Sequence, residues 1–230
     1  MSLKKLIFVF LAFTTISSTF AQESETRGLR EFDIIHTYDG VSVQLIPSDK
    51  NEVIVSGTST EKVTTLVSGN ILKVKMNFGS NFQGDDNHVI IYYTNTLKEI
   101  KATEGSTITS NHLIESDNEI VFRAIEGAEI DLDVKAKDIV SSIATGGEVE
   151  LTGNSKNVTV TINTGGRFDG NQLKSEYGEV KIATGGNAKV YITEVLDASV
   201  TMGGNIYYYG DTKTVNESIS LGGSIVQKKF

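Results

Sequence analysis

The sequence predicts an all-β chain whose greater part is a parallel β-helix-like solenoid of about seven turns, preceded by a β cap. Three observations carry this: a glycine pattern written seven times, columns of matched residues within that pattern, and apolar–polar alternation with a single Pro, Pro47, in 230 residues. The pattern reads ATEGSTI (102–108), AIEGAEI (124–130), IATGGEV (143–149), INTGGRF (162–168), IATGGNA (182–188), VTMGGNI (200–206) and ISLGGSI (219–225). Its first glycines lie 22, 19, 19, 20, 18 and 19 residues apart. That period is too short for a propeller blade or a helical pair, and the leucine-rich pattern is missing, so a coil of short strands remains.

From the N-terminus, Lys4 and Lys5 precede the apolar run Leu6 to Phe13, and small residues follow to Ala21. This is the layout of a secretory signal peptide over residues 1–21, too short in its apolar part for the ~20 residues of a membrane span. No Cys exists to carry a lipid anchor, so a mature chain released across the membrane, secreted, periplasmic or at the cell surface, is expected. Residues 22–30 read as a linker. Residues 31–100 alternate well in VSVQL (41–45), EVIV (52–55), ILKVKM (71–76) and HVIIYY (88–93), which makes them strands with one wet face. They are expected to cap the open end of residues 101–226, where bare strand edges would otherwise invite pairing. NFGSNFQGDDN (77–87) is the expected flexible loop, and 227–230 a short tail.

Within the repeat, stacked turns bring equivalent residues about 4.8 Å apart. The position after the first glycine is always small: Ser106, Ala128, Gly147, Gly166, Gly186, Gly204 and Gly223. Two residues further on, Ile108, Ile130, Val149, Phe168, Ala188, Ile206 and Ile225 form an apolar column that must point inward.

Composition narrows function. The net charge of −8 lacks the clustered Lys and Arg that phosphate backbones require, which excludes nucleic acid as a partner. Without Cys there are no disulfides, thiolate metal sites or cysteine nucleophiles. His36, His88 and His112 have no zinc-ligand spacing, and neither a Gly-x-Ser-x-Gly elbow nor a nucleotide-binding glycine loop occurs.

The opening EFDII (31–35) leading to VSVQL (41–45), the repeated turn, and ASVTMGGNIYYYG (198–210) together resemble a Bacteroidetes family of extracytoplasmic proteins, the putative auto-transporter adhesin, head GIN domain family. The resemblance covers roughly residues 31–226. It implies a right-handed β-helix-like domain, secreted or on the cell surface, with an adhesive role and no catalytic residues to transfer. This chain carries Thr-Gly-Gly at 145–147, 164–166 and 184–186, where that family's turn resembles Ser-Gly-Ala-Ser.

Two surface constellations are candidates for function. Glu129, Asp131, Glu148, Glu150 and Asp169 share one outward face, and the first four are candidate ligands for Ca²⁺, which takes six to eight oxygens. Each acidic column ends in a base, with Arg167 expected beside Glu148 and Lys189 beside Asp169, so a solvated charge ladder is the competing reading. Tyr207, Tyr208 and Tyr209, grouped with Tyr92 and Tyr93, offer rings that could stack on sugars, and Tyr207 and Tyr209 are the candidate ligand surface. The expectation is therefore a non-enzymatic binding or adhesion module for a glycan or a cell-surface protein, with no cofactor unless Ca²⁺. The alternatives are a calcium-assisted polysaccharide lyase or hydrolase, with Arg167 or Lys189 assisting, and a structural envelope protein that associates end to end.

Overall fold

The structure is a computed structural model that describes residues 23–77 and 87–229. The expected signal peptide, and nearly all of the expected loop at 77–87, lie outside the described residues. The first nine strands are short: β1 (Glu23–Gly28), β2 (Ile34–Thr37), β3 (Ser42–Pro47), β4 (Glu52–Gly57), β5 (Val63–Ser68), β6 (Ile71–Met76), β7 (His88–Tyr93), β8 (Glu99–Thr103) and β9 (Thr107–Thr109). Five long ones follow, β10 (Ile114–Ile125), β11 (Glu129–Ala144), β12 (Glu148–Asn163), β13 (Arg167–Thr184) and β14 (Asn187–Met202), and then β15 (Asn205–Tyr209), β16 (Thr214–Ile219) and β17 (Ser224–Gln227). One 3-10 turn, Thr60–Lys62, is the single helical element among the described residues.

Each of β11 to β14 wraps most of one turn, its first half in a front sheet and its second half in a back sheet. The result is an all-β parallel solenoid of about seven turns, as the glycine period predicts. The columns fall in register: Thr107, Glu129, Glu148, Arg167, Asn187, Asn205 and Ser224 stack on the front, as do Ile108 through Ile225 beside them. The core lies between the sheets. Its front wall is Val43, Ile108, Ile130, Val149, Phe168, Ala188 and Ile206, and its back wall includes Ile35, Ile100, Phe122, Val160 and Val180, all buried.

The corners follow from φ. Asp39-Gly40, Glu104-Gly105, Glu126-Gly127, Thr145-Gly146 and Thr164-Gly165 each have positive φ at both residues, as type I′ turns require. In the last three corners the positive φ moves onto the glycine pairs 185–186, 203–204 and 222–223. That shift releases Thr184, Met202 and Leu221 from a left-handed conformation that a Thr, Met or Leu side chain resists. Corner backbones also bond from turn to turn, as in Gly105 N–H to Glu126 O (3.0 Å) and Gly127 N–H to Thr145 O (3.1 Å).

Residues 31–100 contain both coil and closure. The pair β2 and β3 lies parallel to β8 and β9 on one side and to β6 and β7 on the other, so the coil continues through two further layers. Antiparallel β5, β4 and β1 then close that end. Arg27 reinforces the closure by donating to the carbonyls of Val63 (2.6 Å) and Thr60 (3.3 Å). The expected linker at 22–30 is corrected here: residues 23–28 form β1, because six residues in register with β4 satisfy backbone groups that a linker would leave to water.

The opposite end is open. β16 pairs only with β14, and β17 only with β15, among the described residues. Glu217 is in register with the buried Ala198 and therefore occupies an inward-facing position on the last back strand.

Candidate functional site on the front face

Alternation along the front strands sends every second side chain to solvent, and the register stacks these into straight ladders. In the acidic ladder Glu129 is the cross-strand neighbour of Glu148, and Asp131 of Glu150. The bases arrive where sequence spacing places them: Arg167 pairs with Glu148, and Lys189 Nζ lies 2.6 Å from Asp169. A second Arg167 nitrogen is 3.9 Å from Asp169, which is covered to 8% exposure. Burial, and then Asp131 and Asp169 on either side, push the Glu150 carboxyl above its ordinary range. Among the described residues no three His, Asp or Glu side chains converge to hold a metal ion.

The tyrosines divide. Tyr92 and Tyr93 belong to β7, seven strands away from β15 across the front sheet, or about 34 Å at ordinary strand spacing. Tyr93 is buried, and that burial pushes its phenol up to about 12. The grouping of these two with Tyr207–Tyr209 is therefore corrected: two fragments with similar sequence sit near opposite ends of the coil. Tyr208 packs against the core, while Tyr207 and Tyr209 share the outward face and are partly exposed.

Sequence reasoning missed Tyr191, which is in register with Tyr209. The 18-residue spacing that places Lys189 beside Tyr207 also places Tyr191 beside Tyr209, so the signal was present. Asn187, Asn205 and Ser224 run alongside as a hydrogen-bonded ladder, with Asn205 donating to Asn187 (2.9 Å) and Ser224 to Asn205 (2.7 Å). Lys228 Nζ lies 5.2 Å from the centroid of the Tyr207 ring, within cation–π range. A hollow of about 220 Å³ opens beside the rings, lined by Tyr191, Gly210, Asp211, Gln227, Lys228 and Lys229.

On the back sheet His36 joins a polar row. Its Nε2 is 3.0 Å from Glu99, its Nδ1 is 3.4 Å from the Tyr38 hydroxyl, and Arg123 Nε approaches Glu99 at 3.5 Å. Burial, assisted by Lys101 and Lys73, outweighs Glu99 and lowers the His36 pKa. The row lies on a pleated strand surface. A separate groove of about 640 Å³, at the corner lined by Glu115, Asp117, Lys135 and Lys137, is bridged by the Lys135–Glu115 pair at 3.0 Å.

The coil and its ladders define a β-solenoid protein that displays its polar chemistry on open faces. The chain belongs to the family described as putative auto-transporter adhesin, head GIN domain, whose model matches residues 31–212. No curated protein sequence matches it. Among solved structures it is similar to a putative adhesin from Bacteroides fragilis, with 16% identity, a TM-score of 0.83, and 91% of this chain and 98% of that one covered. It is also similar to a putative adhesin from Parabacteroides distasonis (21% identity, TM-score 0.68, 90% and 97% covered). A third, a putative lipid binding protein from the same species, has 17% identity and a TM-score of 0.65, with 90% and 98% covered. At these identities the likeness shows the fold. The family and these relatives carry adhesin or binding names, not enzyme names. No described helix is long and apolar enough to cross a membrane.

Proposed function

We propose that this protein is an extracytoplasmic, non-enzymatic binding module in which the rigid front face of the solenoid adheres to a glycan or surface polymer. The observation that carries the reading is the stacking of outward side chains on that face in continuous register from β9 to β17. A repeating ligand is matched by a surface that repeats, and hydrogen-bonded strands present it with little ordering cost. Inward-facing Glu217 at the open end opposes burial of that end against another coil, since a buried unpaired carboxylate is costly, and this favours a discrete module over an end-to-end polymer.

The test is to expose the purified protein to neutral and acidic polysaccharides, with and without Ca²⁺, and to record both retention and glycan chain length. Retention of an intact glycan is expected. Shortening of any glycan would overturn the reading and turn attention to Glu148, Glu150 and Arg167, while retention of none would refute glycan adhesion.

A further inference from the structure

Resting on that reading, we infer that the ligand is an anionic glycan bound at the C-terminal third of the front face, by Tyr191, Tyr207 and Tyr209 together with the lysines around them. The three tyrosines are brought together by register and alternation: Tyr191 opposite Tyr209, and Tyr207 two residues along the same strand. Aromatic faces of this kind pack against the C–H faces of sugar rings while the hydroxyls stay wet.

Charge decides which sugars. On a chain of net charge −8, the surroundings of these rings are cationic. Lys174 is in register with Tyr191, Lys228 sits over the Tyr207 ring and Lys229 lines the adjoining hollow. Lys189, in register with Tyr207, is paired with Asp169 and the two cancel, which leaves these three lysines against Asp211. Further back on the same face Glu129, Asp131, Glu148 and Glu150 reverse the sign. A polyanion is repelled from the middle of the coil and drawn to its tyrosine end, where ammonium groups donate charge-assisted hydrogen bonds to its carboxylates. A neutral glycan gains nothing from this asymmetry.

The experiment uses polygalacturonate and its fully methyl-esterified form, which keeps the sugar rings and removes the charge. Binding to immobilised polymer is measured for the wild type, for Lys228→Glu/Lys229→Glu, for Tyr209→Ala and for Lys181→Glu on the exposed back sheet, with circular dichroism confirming each fold. The expected result is a preference of at least tenfold for the charged polymer, loss of at least tenfold in the Lys228→Glu/Lys229→Glu and Tyr209→Ala variants, and no loss in Lys181→Glu. Equal binding of the two polymers would overturn the inference and leave the glycan-binding reading standing, as would an equal loss in Lys181→Glu. Binding to phosphatidylglycerol vesicles but to neither polymer would overturn the inference and assign the rings and lysines to a lipid surface; only retention of no polysaccharide at all would overturn the glycan-binding reading with it.

Discussion

Phe168 and Gly170 offer a sharp test of how the coil packs. Phe168 is fully buried in the front column between Val149 and Ala188, so a large ring is accommodated by a methyl group on the next turn. Its ring also lies over Gly170, where an added Cβ would come within 2.5 Å of Phe168 Cε1 and 3.0 Å of Cζ. Ordinary carbon contacts need ~3.5 Å or more, so Gly170→Ala must push the ring by roughly 1 Å in a close-packed interior. Overpacking of that kind costs about 1–3 kcal/mol, or a fall in Tm of about 2–4 °C per kcal/mol for a chain this size. In a Phe168→Leu background the offending ring atoms are gone, and the added methyl group should be tolerated within about 0.5 kcal/mol. The assay is a double-mutant cycle by guanidinium unfolding followed by circular dichroism, and the expected coupling is about 1–2 kcal/mol. Equal costs for Gly170→Ala in both backgrounds would refute the argument, because the penalty would then lie in the backbone.

Other perturbations separate charge, corner geometry and protonation. Glu150→Gln should stabilise the protein at pH 7 by about 0.2–1 kcal/mol, since like charges on adjacent strands repel. The Glu150 pKa is raised on folding, so its carboxylate destabilises the fold at neutral pH, and the advantage of the variant should fade as pH falls below the raised value in thermal melts at pH 7 and pH 4. Gly147→Ala would place a Cβ 2.2 Å from the Ala124 carbonyl oxygen, whereas a Cβ at Gly146 meets open space but at φ +75°. Gly147→Ala should therefore give little folded protein on expression, while Gly146→Ala should cost only the ~1–2 kcal/mol of the left-handed conformation, and Gly146→Asn less. His36 has a lowered pKa, so its contribution to stability is present above its unfolded value near 6.5 and is lost as pH falls through the folded value. Denaturation midpoints from pH 7.5 to 5 should fall less steeply in His36→Gln than in the wild type.

The repeat was legible because stacking preserves character column by column. Glu148 meets Arg167, and Asp169 meets Lys189, at the spacing the glycines set. The same logic placed Ile130, Val149 and Phe168 in the core. The layer formed by β2 and β3 was harder to see. Its corner, Asp39-Gly40, has one glycine followed by Val41, and its neighbours in space, β6 to β9, lie tens of residues away with two antiparallel strands intervening. A repeat search depends on constant spacing, and that insertion removes it. The polar row through His36, Tyr38 and Glu99 was hidden for a related reason: the contact between His36 and Glu99 joins residues 63 apart across β2 and β8.

Because each turn adds about 4.8 Å and one residue per column, a solenoid converts order in sequence into position along an axis. Substitutions in successive repeats therefore write a gradient on the surface without disturbing the core. The front face reads Thr107 and Thr109, then Glu129, Asp131, Glu148 and Glu150, then Arg167 and Lys189, and then Tyr207. The corner ridge changes in the same direction, from Asp39, Glu104 and Glu126 through Thr145, Thr164 and Thr184 to the exposed Met202 and Leu221. Burial, and after it the neighbouring Glu104, push the Asp39 carboxyl above its ordinary value. On the front face the acids thus occupy the middle turns, and Lys189, Tyr191, Tyr207 and Tyr209 the turns toward the open end. On the reading proposed above, a ligand that favours the lysines and tyrosines would be held toward the open end of the coil, where it would remain accessible to whatever surface carries it.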